Sequence, residues 1–139
     1  MKVFVDANIL VAVLNKEYPV FTYAARVLSL ADSAKFQIYT SPLCLAIAFY
    51  FSSKKSGQKL AKQKIAMLAS KLSLVLINDQ CVKQAIDNPK INDLEDGFQY
   101  YAAITSGCEY IITEDLSDFY FSEIEVMGSE GFLEKCVFN

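Results

Sequence analysis

The chain has 139 residues, 53% of them hydrophobic, a net charge of −3 and no histidine. That length suits one domain, residues 1–139, with a proper core. The composition excludes disorder, Ser-His-Asp or Cys-His catalysis and the usual histidine-bearing zinc sites. The longest uninterrupted apolar run, residues 43–51, is nine residues, well short of the roughly 20 that a membrane span needs. Asp6 and Asn8 interrupt the apolar N-terminus, which argues against a signal peptide. The expected location is cytoplasmic.

In chain order, residues 2–5 read as a buried strand, and Asn8 can cap a helix through Ile9, Leu10, Val13 and Leu14. Tyr18-Pro19 marks a break, and Phe21, Ala24, Ala25, Leu28 and Leu30 outline a second helix to about Asp32. A short strand over residues 36–40 leads into Ser41-Pro42, a cap followed by proline in the first helical turn. Gly57 interrupts that helix, and residues 60–72 continue as another. Residues 74–77 predict a third strand, and Asn78-Asp79 a helix reaching about Asp87. Asp93 caps a helix through Phe98, Tyr101 and Ala102 that a left-handed Gly107 stops. Residues 110–113 and 124–127 read as strands, and residues 129–133 as a final helix. Strands alternating with helices imply an α/β fold of three layers, α/β/α, around a mostly parallel central sheet of four to five strands.

The acids carry the chemistry. Asp6 closes the first strand, Asp115 and Asp118 follow the fourth, and Asp96 stands in the first turn of its helix. Open α/β sheets bind ligands beyond the carboxyl ends of their strands, so acids at two such ends can converge. Converging carboxylates repel one another unless a cation sits between them, and an oxygen-only cluster suits Mg²⁺ or Mn²⁺. Glu95 is read as facing away from this group. Charge is also uneven along the chain. Residues 1–71 hold ten Lys/Arg against three acids, or +7, and residues 72–139 hold three against thirteen, or −10. Lys54, Lys55, Lys59, Lys62 and Lys64 form a run without an acid. It reads either as a solvated helix face or as a track for a phosphate backbone. No CxxC pair occurs, and Cys44 and Cys108 read as small buried hydrophobes. Phe119, Tyr120 and Phe121 read as packing anchors rather than a base-stacking surface.

Three segments together resemble the PIN domain family. Residues 1–10, MKVFVDANIL, resemble its opening strand, in which Asn or Ser follows an Asp by two residues. Asp93-Leu94-Glu95-Asp96 with Gln99-Tyr100-Tyr101-Ala102-Ala103 resembles its central acidic helix, and Thr113-Glu114-Asp115-Leu116-Ser117-Asp118-Phe119 its fourth-strand motif. The resemblance covers nearly the whole chain. It implies an Mg²⁺- or Mn²⁺-dependent endoribonuclease, often the toxin half of a VapC-type toxin–antitoxin pair. Its RNA products would end in a 5′-phosphate and a 3′-hydroxyl. By the same resemblance Asp6, Asp96 and Asp115 would hold the metal or its waters, with Asp118 supporting and Asn8 and Thr113 adding polar contacts. Lys54, Lys55, Lys59 and Lys62 would face the RNA. An antitoxin that inserts an arginine into the acidic site and a homodimer are implied partners.

The family often has glutamate in the helix after the second strand, whereas Ile47 or a neighbouring alanine stands there in this chain. An aliphatic side chain binds no hard cation, so one usual oxygen is absent and an alternative arises, a catalytically silent PIN-fold module that binds RNA or a protein. A haloacid-dehalogenase-like phosphatase would need an acid two residues after Asp6, where Asn8 stands.

Overall fold

A computed structural model describes residues 1–138. Its sheet has five strands: β1 (Lys2–Val5), β2 (Gln37–Thr40), β3 (Ser73–Leu74), β4 (Tyr110–Ile112) and β5 (Glu125–Met127). They run in the order β3-β2-β1-β4-β5, and every pairing is parallel. The α/β reading holds, and the upper strand number is met. β1 lies at the centre, where both faces are covered, and Val3, Phe4 and Val5 are fully buried as a central parallel strand requires.

Among the described residues six α-helices join the strands, α1 (Ala7–Leu14), α2 (Val20–Ser29), α3 (Pro42–Ser56), α4 (Gln58–Lys71), α5 (Asp79–Asp87) and α6 (Leu94–Thr105), and a seventh, α7 (Ser129–Cys136), follows the last strand. From β1 the chain moves outward to β2 and β3, then reverses to β4 and β5. Right-handed crossovers therefore put α1 to α4 on one face and α5 and α6 on the other. Helix α1 packs on α2 and α3, α3 on α4, α2 on α7, and α5 on α6. The reversal falls between β1 and β4, the switch point at which such sheets open a crevice.

Two expectations are corrected here. The third strand is two residues long and begins earlier, at Ser73. Only Val75 extends it, its N–H reaching Thr40 O at 2.9 Å, and Leu76 then turns 73% exposed into solvent. The final helix runs on to Cys136, because Cys136 and Val137 beyond Phe132 and Leu133 also pack against the core. Gly97 sits where α6 meets α5: a Cβ there would come within 2.8 Å of Ile91 Cγ2 and 3.0 Å of Ala85 Cβ. That close approach seats the first turn of α6, and with it Asp96.

Candidate active site

The crevice begins with Asp6. Its N–H still pairs with Ile112 O at 3.0 Å, as the last rung of the sheet, while its Oδ1 accepts the Ala7 N–H at 2.8 Å. Asp6, not Asn8, is thus the cap of α1. The helix starts directly off the strand, and an extended Asp (φ −78°, ψ 164°) caps as well as Asn does. Asn8 is left free to brace the far strand. Its Nδ2 donates to Thr113 Oγ1 at 2.8 Å, and its Oδ1 accepts the Glu114 N–H at 3.1 Å. The Thr113 hydroxyl donates to Asp6 Oδ2 at 3.0 Å and also accepts the Asp115 N–H at 3.1 Å. One donor and two acceptor positions are therefore filled, which is all a hydroxyl has. Burial raises the Asp6 carboxyl, the bonds from Ala7, Thr113 and Cys44 partly offset this, and the Asp115 charge adds to it.

Across the crevice stands the first turn of α6, capped by Asp93 through the Glu95 N–H at 3.0 Å. Asp96, half buried, is pushed up to about 7, first by burial and then by the charges of Asp93, Asp118, Asp6 and Glu95. Asp118, in a 3₁₀ turn after β4, is raised by burial, then by the charge and side-chain hydrogen bond of Asp115, and by Asp6 and Asp93. Glu95 is raised by burial and by Asp93 and Asp6. Its side chain lines the cleft with Asp96, contrary to the expectation that it faces away. In the opening turn of a helix whose end points at the cleft, adjacent side chains both reach it, and glutamate is long. Asp118, rather than Asp115, forms the wall. Asp115 is exposed, with Ser117 Oγ donating to its Oδ1 at 3.1 Å, and acts on Asp6 and Asp118 through its charge.

The cleft holds about 410 Å³, and its other walls include Asn8, Val11, Glu17, Ile47 and Phe51. Ile47 does face this space. Glu17 escapes sequence reasoning because its placement depends on a left-handed Lys16 (φ 51°), a state that most non-glycine residues avoid. The Lys16 N–H bonds Val13 O at 3.3 Å and the Glu17 N–H bonds Ala12 O at 2.9 Å, a Schellman stop that turns Glu17 to the cleft. Gln99 is the other residue missed. It lies one turn beyond Asp96, 1% exposed, and its Oε1 accepts the Ser41 hydroxyl at 2.8 Å and faces the Cys44 thiol. A polar residue inside the apolar face of α6 was the available signal. Burial and the Asp6 charge push the Cys44 thiol up to about 12.

Lys54, Lys55, Lys59 and Lys62 are exposed on α3 and α4, and none of them lines the cleft. Lys54 lies over the Tyr50 ring, 4.4 Å from its centroid, and Lys55 donates to Asn15 O. Phe119 and Phe121 are buried, as packing anchors should be, but Tyr120 between them is not one: it is 57% exposed and its hydroxyl donates to Lys90 O.

The donor set fits a hard divalent ion by its chemistry: oxygens only, and at Asp96 and Asp118 every electrostatic neighbour that shifts the carboxyl is another acid. Among the described residues, no three acid or thiol side chains close into a ready-made cage. An open ring of carboxylates accommodates an ion that keeps much of its water, as Mg²⁺ does.

Comparison with known proteins agrees with this architecture. The profile of the PIN domain family matches residues 2–117. Ribonuclease VapC1 of Aquifex aeolicus (strain VF5) is 30% identical over 138 residues, covering 96% of this chain and 94% of that protein. The fold resembles crystal structures of VapBC2 from Rickettsia felis bound to a promoter DNA fragment (TM-score 0.66, 19% identity, 91% of this chain and 97% of that one). It also resembles VapC20 of Mycobacterium tuberculosis, a Sarcin-Ricin loop cleaving toxin (TM-score 0.64, 18% identity, 88% and 98%). A third likeness is VapBC-1 of nontypeable Haemophilus influenzae (TM-score 0.67, 15% identity, 94% and 99%).

Proposed function

This chain belongs to the PIN domain family, and from that premise we propose that it is a metal-dependent endoribonuclease, the toxin of a toxin–antitoxin pair. The observation that carries the reading is the set of Asp6, Asp96 and Asp118 around one cleft, each carboxyl raised by burial and by its acidic neighbours. Such a concentration of unneutralised charge is the usual mark of a functional site. Asp6, Asp96 and Asp118 would hold Mg²⁺ or Mn²⁺ or its waters, with Asp115 adding charge beside them. A bound divalent ion supplies hydroxide near neutral pH and offsets phosphate charge.

The residues of the chain do the rest. Thr113 and Asn8 fix the orientation of the Asp6 carboxylate, and the α1 cap prevents its rotation away. Asp96, its carboxyl raised to about 7, would hold a cation in its ionised form, so cation binding there would release a proton. Hydrolysis joins a water oxygen to phosphorus and breaks the bond to the 3′-oxygen, leaving a 5′-phosphate and a 3′-hydroxyl. The proposed partners are RNA, an antitoxin with an arginine suited to the carboxylates, and a second copy of the chain; the proposed compartment is the cytoplasm.

The test is incubation with RNA in Mg²⁺ or Mn²⁺, using the native protein, Asp6→Asn and Asp96→Asn. Cleavage by the native protein alone supports the reading; equal cleavage by all three would sink it. Ile47 in the cleft favours a second reading, a silent module that binds RNA or protein. No cleavage by the native protein, together with no acid-dependent Mn²⁺ binding, would select it.

A further inference from the structure

We propose that Phe51 is a stacking surface for a base of single-stranded RNA, and that α3 leads the strand from the acidic cleft to the lysines of α3 and α4. The proposal rests on RNA being the ligand of that cleft. Ile47 and Phe51 lie one turn apart on α3 and both line the cleft. The wall that would carry an acid in relatives with glutamate is here apolar, and it ends in an aromatic ring. Folding does not account for that ring's position: Phe51 is 45% exposed and Tyr50 beside it 53%. Their rings meet edge to face with centroids 5.2 Å apart.

Cations follow directly. Lys54 lies over Tyr50, and Lys55 is one turn beyond Phe51. From Ile47 to Lys55 the helix axis advances about 12 Å, so acid cleft, aromatic face and cation succeed one another along one side of α3. The surface is also held in place. Asn15, at the end of α1, donates to Phe51 O at 3.4 Å and accepts Lys55 through its own carbonyl. The backbone that carries the ring is thereby tied to the end of α1.

The charge pattern selects the occupant. Residues 54–64 contain five lysines and no acid, which attracts a phosphate backbone and repels a cationic peptide. Aromatic rings interleaved with cations form the usual surface for single strands, whose bases are free to stack; a duplex hides its base faces.

The chain contains no tryptophan, so Phe51→Trp introduces one reporter. In an Asp96→Asn background, which should leave the strand intact, a short single-stranded oligoadenylate should quench the introduced indole, and a duplex of equal length should not. In the same background Phe51→Ala should weaken oligoadenylate binding roughly tenfold, and Phe51→Leu should weaken it as much, because bulk without a ring gives no stacking. With the carboxylates intact, Phe51→Ala should raise KM and leave kcat nearly unchanged. An unquenched indole, equal quenching by duplex, or Phe51→Ala binding within about twofold of the parent would overturn the proposal. The titration reads binding, so it separates from the enzymatic reading. A native protein that fails to cleave refutes catalysis and leaves the stacking surface, whereas an unquenched indole refutes the surface and leaves catalysis.

Discussion

Asp6 and Asp96 face one cleft and are held in opposite ways. Asp6 is 7% exposed, caps α1 and accepts the Thr113 hydroxyl. Asp96 is half buried, and among the described residues no group donates a hydrogen bond to its carboxylate; its electrostatic neighbours are four other acids. Both carboxyls are raised by burial, but the fold makes use of the first side chain as a cap and a hydroxyl acceptor and gives the second no such partner. A side chain that opposes folding at neutral pH is best explained by what it binds, so the Asp96 side of the cleft is where function shows most plainly.

The largest expected effect that separates the two is on activity and stability together. Asp96→Asn should lower RNA hydrolysis by at least about 100-fold, since even residues behind a metal ligand cost about 10- to 100-fold. It should at the same time raise the melting temperature of the metal-free protein at pH 8. An inactive Asp96→Asn that also melts lower would break the comparison, because the carboxylate would then be supporting the fold. At Asp6 the two roles can be split. Asp6→Asn keeps the cap and loses the charge, and Asp6→Ala loses both. The alanine variant should be about 1 kcal/mol less stable than the asparagine variant, a difference of roughly 4 °C in Tm by thermal denaturation.

Proton linkage comes next in size. Burial and acidic neighbours lift Asp96 from 3.8 to about 7, and Asp6, Glu95 and Asp118 move the same way. Carboxyls raised in the folded state favour folding when protonated. Their contribution is full below about pH 4 and fades as pH rises through 7. In EDTA the melting temperature should therefore fall over that window. Asp96→Asn should flatten the fall, and Mn²⁺ should reverse it. A melting temperature that climbs from pH 4 to 7 in EDTA would contradict the electrostatic description.

Much of this comparison was legible in the sequence, and the reasons differ by residue. The strand before Asp6, the cap at Asp93 and the stop at Gly107 are local signals, so β1, α6 and the approach to β4 could be located from the sequence. Asp6 and Thr113 stand at the ends of strands that pair in the structure; a parallel sheet implies that strand-end groups can converge, but it was the family resemblance that pointed to Thr113. The choice of Asp6 over Asn8 as cap was not legible, because both residues cap well and only the absence of a turn after β1 decides. Glu95 was misread because helical periodicity sorts faces along a helix but not at its tip. Glu17 depends on a left-handed lysine, and Gln99 on a polar side chain turned inward toward Ser41 and Cys44. The first leaves no pattern that periodicity can detect; the second shows only as a polar residue on the apolar face of α6, which does not say what it meets.

Smaller effects sharpen the same contrast. Glu95→Gln should weaken Mn²⁺ by only about two- to fivefold, the scale of an exposed charge interaction; a loss as large as that of Asp96→Asn would make Glu95 a ligand in its own right. Cys44 and Cys108, both buried with thiols pushed up to about 12, should resist alkylation in the folded protein at neutral pH and react only after denaturation.

Calorimetric titration of Mn²⁺ into the native protein and into Asp96→Asn tests most directly the claim that these carboxylates form a cation site. The account predicts saturable, proton-releasing binding to the native protein that disappears in the variant. Equal binding by both proteins, or RNA cleavage by a native protein that binds no Mn²⁺, would contradict it.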